Sequence, residues 1–155
     1  ETRPYFQGAR LTASVAYDMG VDVSVITDNM PGFIMKEKNV DVFTSAAAVI
    51  SMDGYVVNKV GTFQIALAAS YHNIPYFVTG TPNLRHETID TVKIEYRDPE
   101  LVMEAMGTKV TKEGVKAYYP AFDITPPKLC NGVVTDLGVF SPYQLKAYAE
   151  KGKTL

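Results

Sequence analysis

The sequence predicts an α/β domain built on a parallel sheet with helices packed against it. Short apolar runs rich in β-branched residues, at 21–27, 40–46 and 74–80, alternate with segments of helix length. Strand, helix and strand in units of this size are typical of parallel strands joined by right-handed crossovers. The 155 residues fit one domain, and the sequence contains no internal repeat or linker.

The composition favours an ordinary globular protein. Its 46% apolar and 21% charged residues are typical of that class. A net charge of −2 gives no basic surface for nucleic acid, and no apolar run reaches the roughly 20 residues that cross a membrane. The single cysteine, Cys130, cannot form an internal disulfide, which favours a reducing compartment such as the cytoplasm.

The amino-terminal half is predicted to alternate helices and strands. Leu11, Val15 and Met19 recur every four residues and Gly20 follows them, which predicts a helix over 9–19. The elements predicted next are a buried strand at 21–27, a short helix at 31–38, a strand at 40–46, a turn at 51–54, a helix at 59–72 and a strand at 74–80.

The helix at 59–72 is predicted from one apolar face, which Val60, Phe63, Leu67 and Tyr71 share. The carboxy-terminal half gives weaker signals. They predict a polar loop with a short strand at 92–96, a helix over 98–107 that Asp98 caps and Pro99 begins, a strand at 132–138 and a last helix near 142–150.

Polar or small residues occur where the predicted strands end, in the segments 1–10, 27–30, 45–59 and 77–83. Parallel strands bring such segments to one edge of the sheet, where ligands usually bind. Arg3 and Gln7, together with Lys59 at a predicted helix start, suit a phosphate or sugar hydroxyl groups. Alone, each of these residues is typical of a protein surface, so the prediction depends on their convergence.

Several other reactive residues have simpler interpretations. His72 fits a helix end, and His86 has no second metal ligand at a suitable spacing, so we expect no metal site. Cys130 has no nearby base and is interpreted as an inert, partly buried thiol. Asp123 is predicted to cap the turn that follows it, although it could also contact a ligand.

Four segments carry a closer resemblance. "ETRPYFQGARLTA", "ITDNM", "DGYVVNKVGT" and "YPAFDITPPKL" resemble the carboxy-terminal domain of methylthioribose-1-phosphate isomerases over essentially all 155 residues. These enzymes are related to regulatory subunits of the translation-initiation exchange factor and to ribose-1,5-bisphosphate isomerases. The resemblance implies a Rossmann-like sheet, a cytoplasmic homodimer and conversion of an aldose 1-phosphate to a ketulose 1-phosphate without a cofactor.

The resemblance also implies a set of site residues. Gln7 matches a substrate-binding glutamine, Asn58 and Lys59 match a substrate-binding pair, and Arg3 lies in the same first segment. The catalytic acid of the family lies in a "GADRI" segment ten residues before the asparagine, a position that Ala48 occupies here. Val49 replaces the usual arginine, and Cys130 does not match the other catalytic residue of the family, a cysteine in an earlier segment.

Three explanations of Ala48 remain open at this point. It is an engineered knock-out of an active isomerase, or a natural feature of a paralogue that binds sugar phosphate without turnover. In the third explanation the alignment is shifted locally and Asp53 is the acid.

We therefore predict that residues 1–155 form the carboxy-terminal catalytic domain of a pentose-phosphate isomerase that is inactive as it stands. Because the chain opens at Glu1 on a dense motif, we expect an absent amino-terminal half that carries the first strand or strands. Without it, residues 1–155 should fold poorly. The substrates considered are 5-methylthioribose 1-phosphate, 5-deoxyribose 1-phosphate and ribose 1,5-bisphosphate, and the alternative function is a sensor of sugar phosphates or nucleotides.

Overall fold

The structure is a computed structural model that describes residues 1–152, and it confirms the predicted α/β class. The strands are β1 (Phe43–Ala46), β2 (Val49–Ile50), β3 (Val56–Lys59), β4 (Tyr76–Thr79), β5 (Glu104–Ala105), β6 (Thr108–Lys109), β7 (Phe122–Thr125), β8 (Gly132–Thr135) and β9 (Gly138–Phe140). The α-helices are α1 (Ser14–Asp18), α2 (Pro31–Glu37), α3 (Thr62–Tyr71) and α4 (Lys146–Gly152), and a π-helical turn (Gly8–Ala13) precedes α1.

The strands form two main sheets and a small hairpin. In the four-stranded sheet the order is β1-β4-β8-β9, with β4 parallel to both β1 and β8 and β9 antiparallel at one edge. The second sheet, β2-β3-β7, is antiparallel throughout. Helix α3 connects the sheets, because it follows β3 in sequence and contacts β1, β4 and β7.

The core lies between these elements and is made mainly of strand residues. Tyr76 at the start of β4 is fully buried and stacks on Phe43 of β1, with 4.5 Å between ring centroids. A large aromatic pair contributes both buried apolar area and a fixed ring geometry. The residues buried with Tyr76 are Ile50, Met52, Val56, Ala66, Val78, Cys130, Val133 and Leu145.

The predicted strand at 21–27 is wrong. The segment makes no strand pairing among residues 1–152, and Val21 and Val25 are 53% and 56% exposed. Its sequence has the apolar, β-branched character of a buried strand, but burial requires a neighbouring strand and the described residues supply none.

The region of the predicted helix at 59–72 is a strand followed by a shorter helix. Lys59 ends β3, and α3 begins only after Gly61, whose φ of 108° breaks the strand. The buried face of α3 consists of Thr62, Ala66 and Ala69, whereas Leu67 and Tyr71 are exposed. Small side chains let a helix approach a sheet closely. The buried face of α3 is therefore the one with small side chains, and the face with the larger apolar side chains is exposed.

The predicted helix over 98–107 is also wrong beyond its first turn. Asp98 caps the amide of Glu100 as expected, at 3.0 Å, but only a 3₁₀ turn (Pro99–Val102) follows. The chain then forms the hairpin β5–β6 around Met106 and Gly107, which both have positive φ. Paired positive φ values are typical of two-residue hairpin turns.

The remaining differences are smaller. The predicted strand at 92–96 contributes only an isolated bridge between Tyr96 and Pro120. The predicted strand at 132–138 stops at Thr135, after which the chain reverses into β9. Helix α4 begins four residues later than predicted.

Candidate functional site

A cavity lies where β1 and β4 end, the edge at which parallel sheets usually bind ligands. It has a volume of about 490 Å³ and is lined by residues 47–50 and 80–85. Gly80 keeps it open, since a Cβ there would lie 3.3 Å from the Ile50 side chain. The cavity therefore lies between the alanine segment, the residues Ala46, Ala47 and Ala48 at and just after the end of β1, and the loop after β4.

Ala48 is exposed at the wall of this cavity. Its amide donates to the carbonyl oxygen of Val57 at 2.9 Å, which ties the alanine segment to β3. Val49 pairs with Val57, so Ala48 and Val49 both lie opposite Val57, the residue before Asn58. The backbone at position 48 therefore lies next to β3, one residue before Asn58.

Asn58 and Lys59 lie on opposite faces of the antiparallel sheet. Asn58 is the cross-strand partner of Asp123, and its side-chain amide donates to Thr62 Oγ1 at 3.2 Å. Lys59 is the partner of Phe122, with its Nζ 4.6 Å from the centre of that ring. Because strand side chains alternate, adjacency in sequence does not bring these two side chains together.

The Lys59 ammonium makes no ion pair or hydrogen bond with other side chains within residues 1–152, and its nearest aromatic contact is Phe122. Burial lowers its pKa, and the charge of nearby Arg97 lowers it further, against the opposing effect of Glu95. A half-buried ammonium beside another cation favours an anion as its neighbour.

Arg3 and Gln7 occupy different environments. The Arg3 guanidinium donates to the carbonyl oxygens of Val102 and Glu104, at 3.2 and 2.6 Å, and so fastens the first segment to a distant loop. The Oε1 atom of Gln7 is buried and accepts no hydrogen bond from the described residues. A buried acceptor without a donor is unusual in a folded protein, and a ligand hydroxyl would satisfy it.

Asp28 connects the polar segments 1–10 and 27–30. Its carboxylate accepts from the amides of Thr2 and Arg3, each at 2.7 Å. Its carbonyl oxygen accepts from Gln64 Nε2 of α3 at 3.0 Å. Burial acts to raise the pKa of Asp28, but the two amide hydrogen bonds and the nearby Glu1 amino group together outweigh it and the pKa is lowered.

Asp123 does not cap the turn after it, as the sequence suggested. It caps the start of α3 instead, accepting from the amides of Gly61 at 2.6 Å and Phe63 at 3.1 Å. Burial raises its pKa, while these two amides act in the opposite direction. The sequence could not reveal this role because the helix lies some 60 residues earlier in the chain.

Asp53, the alternative acid, is engaged at both carboxylate oxygens. Oδ1 accepts from Ser51 Oγ at 2.5 Å and Oδ2 from the amide of Ile89 at 3.1 Å. The turn at 51–54 forms as predicted, with a positive φ at Gly54. Asp53 does not line the cavity of Ala48, and its contacts favour a structural role.

The other reactive residues have structural contacts. His72 ends α3 and its ring bonds to the Gly32 carbonyl oxygen, which confirms the helix-end prediction. His86 Nδ1 bonds to Thr91 Oγ1 at 2.8 Å. Cys130 is buried, and burial raises the pKa of its thiol, in agreement with an inert residue.

Residues 1–152 contain neither a metal-binding cluster nor a membrane-spanning helix. No group of three His, Cys, Asp or Glu side chains is placed to hold a metal ion. None of the helices in this range has the length and apolarity needed to span a bilayer.

The sequence reasoning missed Arg85, which lines the cavity just beyond the predicted polar segment at 77–83. It is the only charged residue among the lining residues, and its side chain has no ion pair in the described chain. Its position in the loop after β4 could have indicated it as a candidate, because ligands usually bind at the carboxyl ends of parallel strands.

Comparison with known proteins gives one consistent family. The model of the initiation factor 2 subunit family matches residues 1–142. The methylthioribose-1-phosphate isomerase of Trichoplax adhaerens is 38% identical over 148 residues, covering 95% of this chain and 41% of that protein. The protein of the same name from Desulfitobacterium hafniense is 40% identical over 149 residues, covering 94% and 43%. The chain therefore spans less than half the length of these relatives.

Two solved structures are similar over 99% of this chain, each at 34% identity. One is the 5-methylthioribose 1-phosphate isomerase of Pyrococcus horikoshii, with a TM-score of 0.92 and 44% of that chain covered. The other is the delta subunit of translation initiation factor eIF-2B from A. fulgidus, with a TM-score of 0.88 and 45% covered.

Proposed function

Since this chain belongs to the initiation factor 2 subunit family, we propose that it is the carboxy-terminal, substrate-binding part of a sugar-1-phosphate isomerase. The proposed reaction converts 5-methylthioribose 1-phosphate, an aldose, into the corresponding ribulose 1-phosphate. The observation that carries the proposal is the identity of about 40% to proteins named as that isomerase, over nearly the whole chain.

The chemistry of such a substrate requires an acid. Phosphate blocks the anomeric oxygen, so the sugar must open by cleavage of the bond between C1 and the ring oxygen, which takes up a proton. In the hydride route, hydrogen then moves with its electron pair from C2 to the electron-poor C1, and the C2 hydroxyl gives its proton to a base as it becomes the ketone. An apolar, water-poor site favours transfer as hydride over transfer as a proton.

Position 48 is the proposed site of this acid. Ala48 lies on the wall of the cavity at the carboxyl ends of β1 and β4, and its amide donates to Val57, the residue before Asn58. A methyl group can donate no proton, so we propose that the chain as it stands binds substrate without rapid turnover. Loss of a general acid typically lowers a rate by a factor on the order of 10² to 10⁴.

Three further side chains are proposed to hold the substrate. Gln7 offers a buried acceptor to a sugar hydroxyl, and Asn58 offers a side-chain amide at the end of β3. Lys59 supplies positive charge for the phosphate. Arg3 is proposed to position the Gln7 segment, because its own donors are occupied by carbonyl groups.

The test is to measure isomerase activity of the complete protein with Ala48→Asp. We expect turnover to rise by a factor on the order of 10² or more. Candidate substrates are the 1-phosphates of 5-methylthioribose, 5-deoxyribose and ribose 5-phosphate, and the preferred sugar would identify the substituent at C5.

Ala46→Asp is the matched control, since Ala46 is also exposed on the alanine segment but lies two residues from the proposed acid position. Equal activity of the two variants would count against position 48. If the unchanged protein turns over substrate and Asp53→Asn abolishes that activity, Asp53 is the acid instead.

A sensor of sugar phosphates or nucleotides is the second candidate. The similarity to a solved structure named as an initiation factor subunit favours it, as does the absence of a proton donor at Ala48. Tight binding of a sugar phosphate with no turnover by either form of position 48 would support this function over the isomerase.

The proposal includes a larger assembly. We propose that an amino-terminal half completes the site. We also propose that the protein acts as a homodimer in the cytoplasm, because a phosphorylated pentose is charged and stays inside the cell. Exposed apolar residues on and after α1 support further contacts, because Val15, Tyr17 and Met19 are each more than half exposed.

A further inference from the structure

The cavity beside Ala48 carries one positive charge and no negative charge. Arg85 is the only charged residue that lines it, and its walls include neither an aspartate nor a glutamate. The Arg85 side chain is exposed and makes no hydrogen bond or ion pair within residues 1–152. A guanidinium that has no carboxylate partner and lies at a cavity wall favours an anion as its ligand.

The loop that carries Arg85 is held at two points. The Asn83 amide donates to the Ile50 carbonyl oxygen at 2.8 Å, and the Met52 amide donates to the His86 carbonyl oxygen, also at 2.8 Å. Between these points the Arg85 amide donates to Asn83 Oδ1 at 3.0 Å. The backbone on both sides of Arg85 is therefore fixed, and the guanidinium extends from a defined point on the cavity wall.

Uncharged donors lie in the same loop. Asn83 accepts through Oδ1, and its Nδ2 hydrogens have no partner among the described residues. The Thr81 hydroxyl is exposed and also has no partner in that part of the chain. Both residues line the cavity together with Arg85. A guanidinium, an amide and a hydroxyl offer several hydrogen-bond donors to the oxygens of one anion.

The cavity is large enough for a sugar phosphate. Its volume of about 490 Å³ falls within the range of about 300–1,000 Å³ that is usual for small-molecule sites. Ala47 and Ala48 give it small apolar walls, whereas Arg85 gives it a charged one. A sugar ring with an attached phosphate matches this combination.

The position of the proposed acid brings a phosphate into this cavity. An acid at position 48 must reach the ring oxygen of the sugar. Only C1 and its bridging oxygen separate the ring oxygen from a phosphorus at C1, and only C4, C5 and an oxygen separate it from a phosphorus at C5. A phosphate at either carbon therefore lies close to position 48. Lys59 does not line the cavity, so Arg85 is the cation available within it.

We propose that Arg85, with the side-chain donors of Asn83 and Thr81, binds a phosphate monoester group of the sugar ligand in the cavity of Ala48. The inference rests on the proposed function in taking a sugar phosphate as the ligand, but it concerns binding and requires no turnover. The phosphate has two possible sources, the group at C1 or a group at C5. A phosphate at C5 in place of the methylthio group would make ribose 1,5-bisphosphate the preferred substrate.

The experiment is calorimetric titration of the complete protein, with Ala48 unchanged, using ribose 1-phosphate and ribose 5-phosphate as probes. We expect saturable binding of at least one probe that weakens about tenfold or more in Arg85→Gln. Arg85→Lys should weaken it less, because the charge remains while the paired donors are lost. Asn83→Asp should also weaken it, because an oxygen still accepts from the Arg85 amide but a negative charge replaces Nδ2.

Lys36→Gln is the matched control, because it removes the same charge from an exposed lysine of α2 outside the cavity, and it should bind as the unchanged protein does. Thermal unfolding without ligand controls for structural damage. The midpoint of Arg85→Gln should not change, since the side chain has no hydrogen bond or ion pair in the described chain to lose.

The two probes identify the source of the phosphate. A loss in Arg85→Gln confined to ribose 1-phosphate assigns the phosphate to C1, and a loss confined to ribose 5-phosphate assigns it to C5. Equal losses would show one phosphate subsite that accepts either end of the sugar. No saturable binding of either probe, or binding that Arg85→Gln weakens no more than Lys36→Gln does, would overturn the inference.

This inference and the isomerase proposal fail separately. If Ala48→Asp gives no turnover but probe binding depends on Arg85, the isomerase proposal fails and the phosphate site stands. If Ala48→Asp turns over substrate and probe binding is independent of Arg85, the site fails and the isomerase proposal stands.

Discussion

Tyr76 illustrates how one buried polar atom makes stability depend on pH. Its ring is fully buried, and its hydroxyl lies 2.7 Å from Ser45 Oγ. Burial raises the pKa of Tyr76 from 10.0 to about 12, and the hydrogen bond with Ser45 offsets part of that rise. The folded chain therefore holds this proton more tightly than the unfolded chain does.

We expect the free energy of unfolding to fall as pH rises from about 10 towards 12. Below pH 10 both states keep the phenol proton, so its contribution is fully present there; it is lost as pH rises through the folded pKa. A shift of about two units at about 1.4 kcal/mol each gives a complete loss of about 3 kcal/mol, of which about 2 kcal/mol should be reached by pH 11.5.

Denaturant titrations of the complete protein between pH 8 and 11.5 would measure this dependence. Tyr76→Phe should flatten it, whereas Tyr118→Phe, at a tyrosine that is 85% exposed, should leave it unchanged. If the alkaline loss persists in Tyr76→Phe, another group is responsible.

At the scale of elements, α3 depends on a cap supplied from another strand. The helix starts directly after Gly61 without a capping side chain of its own, and Asp123 of β7 accepts from its first free amides. This contact joins the antiparallel sheet to the helix that also packs on β1 and β4. It therefore fixes the position of Asn58 relative to the parallel sheet.

Asp123→Ala should lower the free energy of unfolding by about 1–2 kcal/mol, the usual effect of removing a helix cap. Asp123→Asn should lower it less, because an amide oxygen still accepts and the buried charge is gone. Urea denaturation of both variants in the complete protein would measure the difference.

Asp41→Ala is the control, at an exposed acid that follows α2. Equal stability of the two Asp123 variants and the control would show that the amides of Gly61 and Phe63 find other partners.

At the scale of the whole molecule, the segment 21–27 is unusual because its apolar residues are exposed and pair with no strand in residues 1–152. It is apolar and unpaired in the described residues, and β1 has a free edge in the sheet order β1-β4-β8-β9. The Glu1 nitrogen lies 2.8 Å from the Ile26 carbonyl oxygen. The first residue of the chain therefore lies against the end of the segment 21–27.

We therefore expect residues 1–155 alone to lack a cooperative monomeric unfolding transition, because an exposed edge and apolar surface promote association. Sedimentation and denaturant titration at several concentrations would test this. A sharp transition with a midpoint independent of concentration would contradict it.

Hydrogen exchange in the longer protein provides the comparison. Amides of 21–27 should exchange fast in residues 1–155 and slowly in the longer protein. Amides of the central strand β4 should be protected more than those of 21–27 in the short form. Equal protection of 21–27 in both forms would show that no added strand covers it.

The sequence by itself determined the strands β1 and β4, helix α2 and the family. Their signals are local: β-branched runs ending in small or polar residues, and Pro31 at the first turn of a helix. The spacing from Ala48 to Asn58 was equally readable, because it is fixed within one continuous segment.

Only the tertiary structure decided the rest. Whether 21–27 becomes a strand depends on a partner, and the division between β3 and α3 depends on pairing with β7. The same pairing placed the Lys59 side chain on the face of the sheet that carries Phe122, opposite to the face of the Asn58 side chain. Strand partners and packing distances involve residues far apart in the chain, so no local pattern contains them.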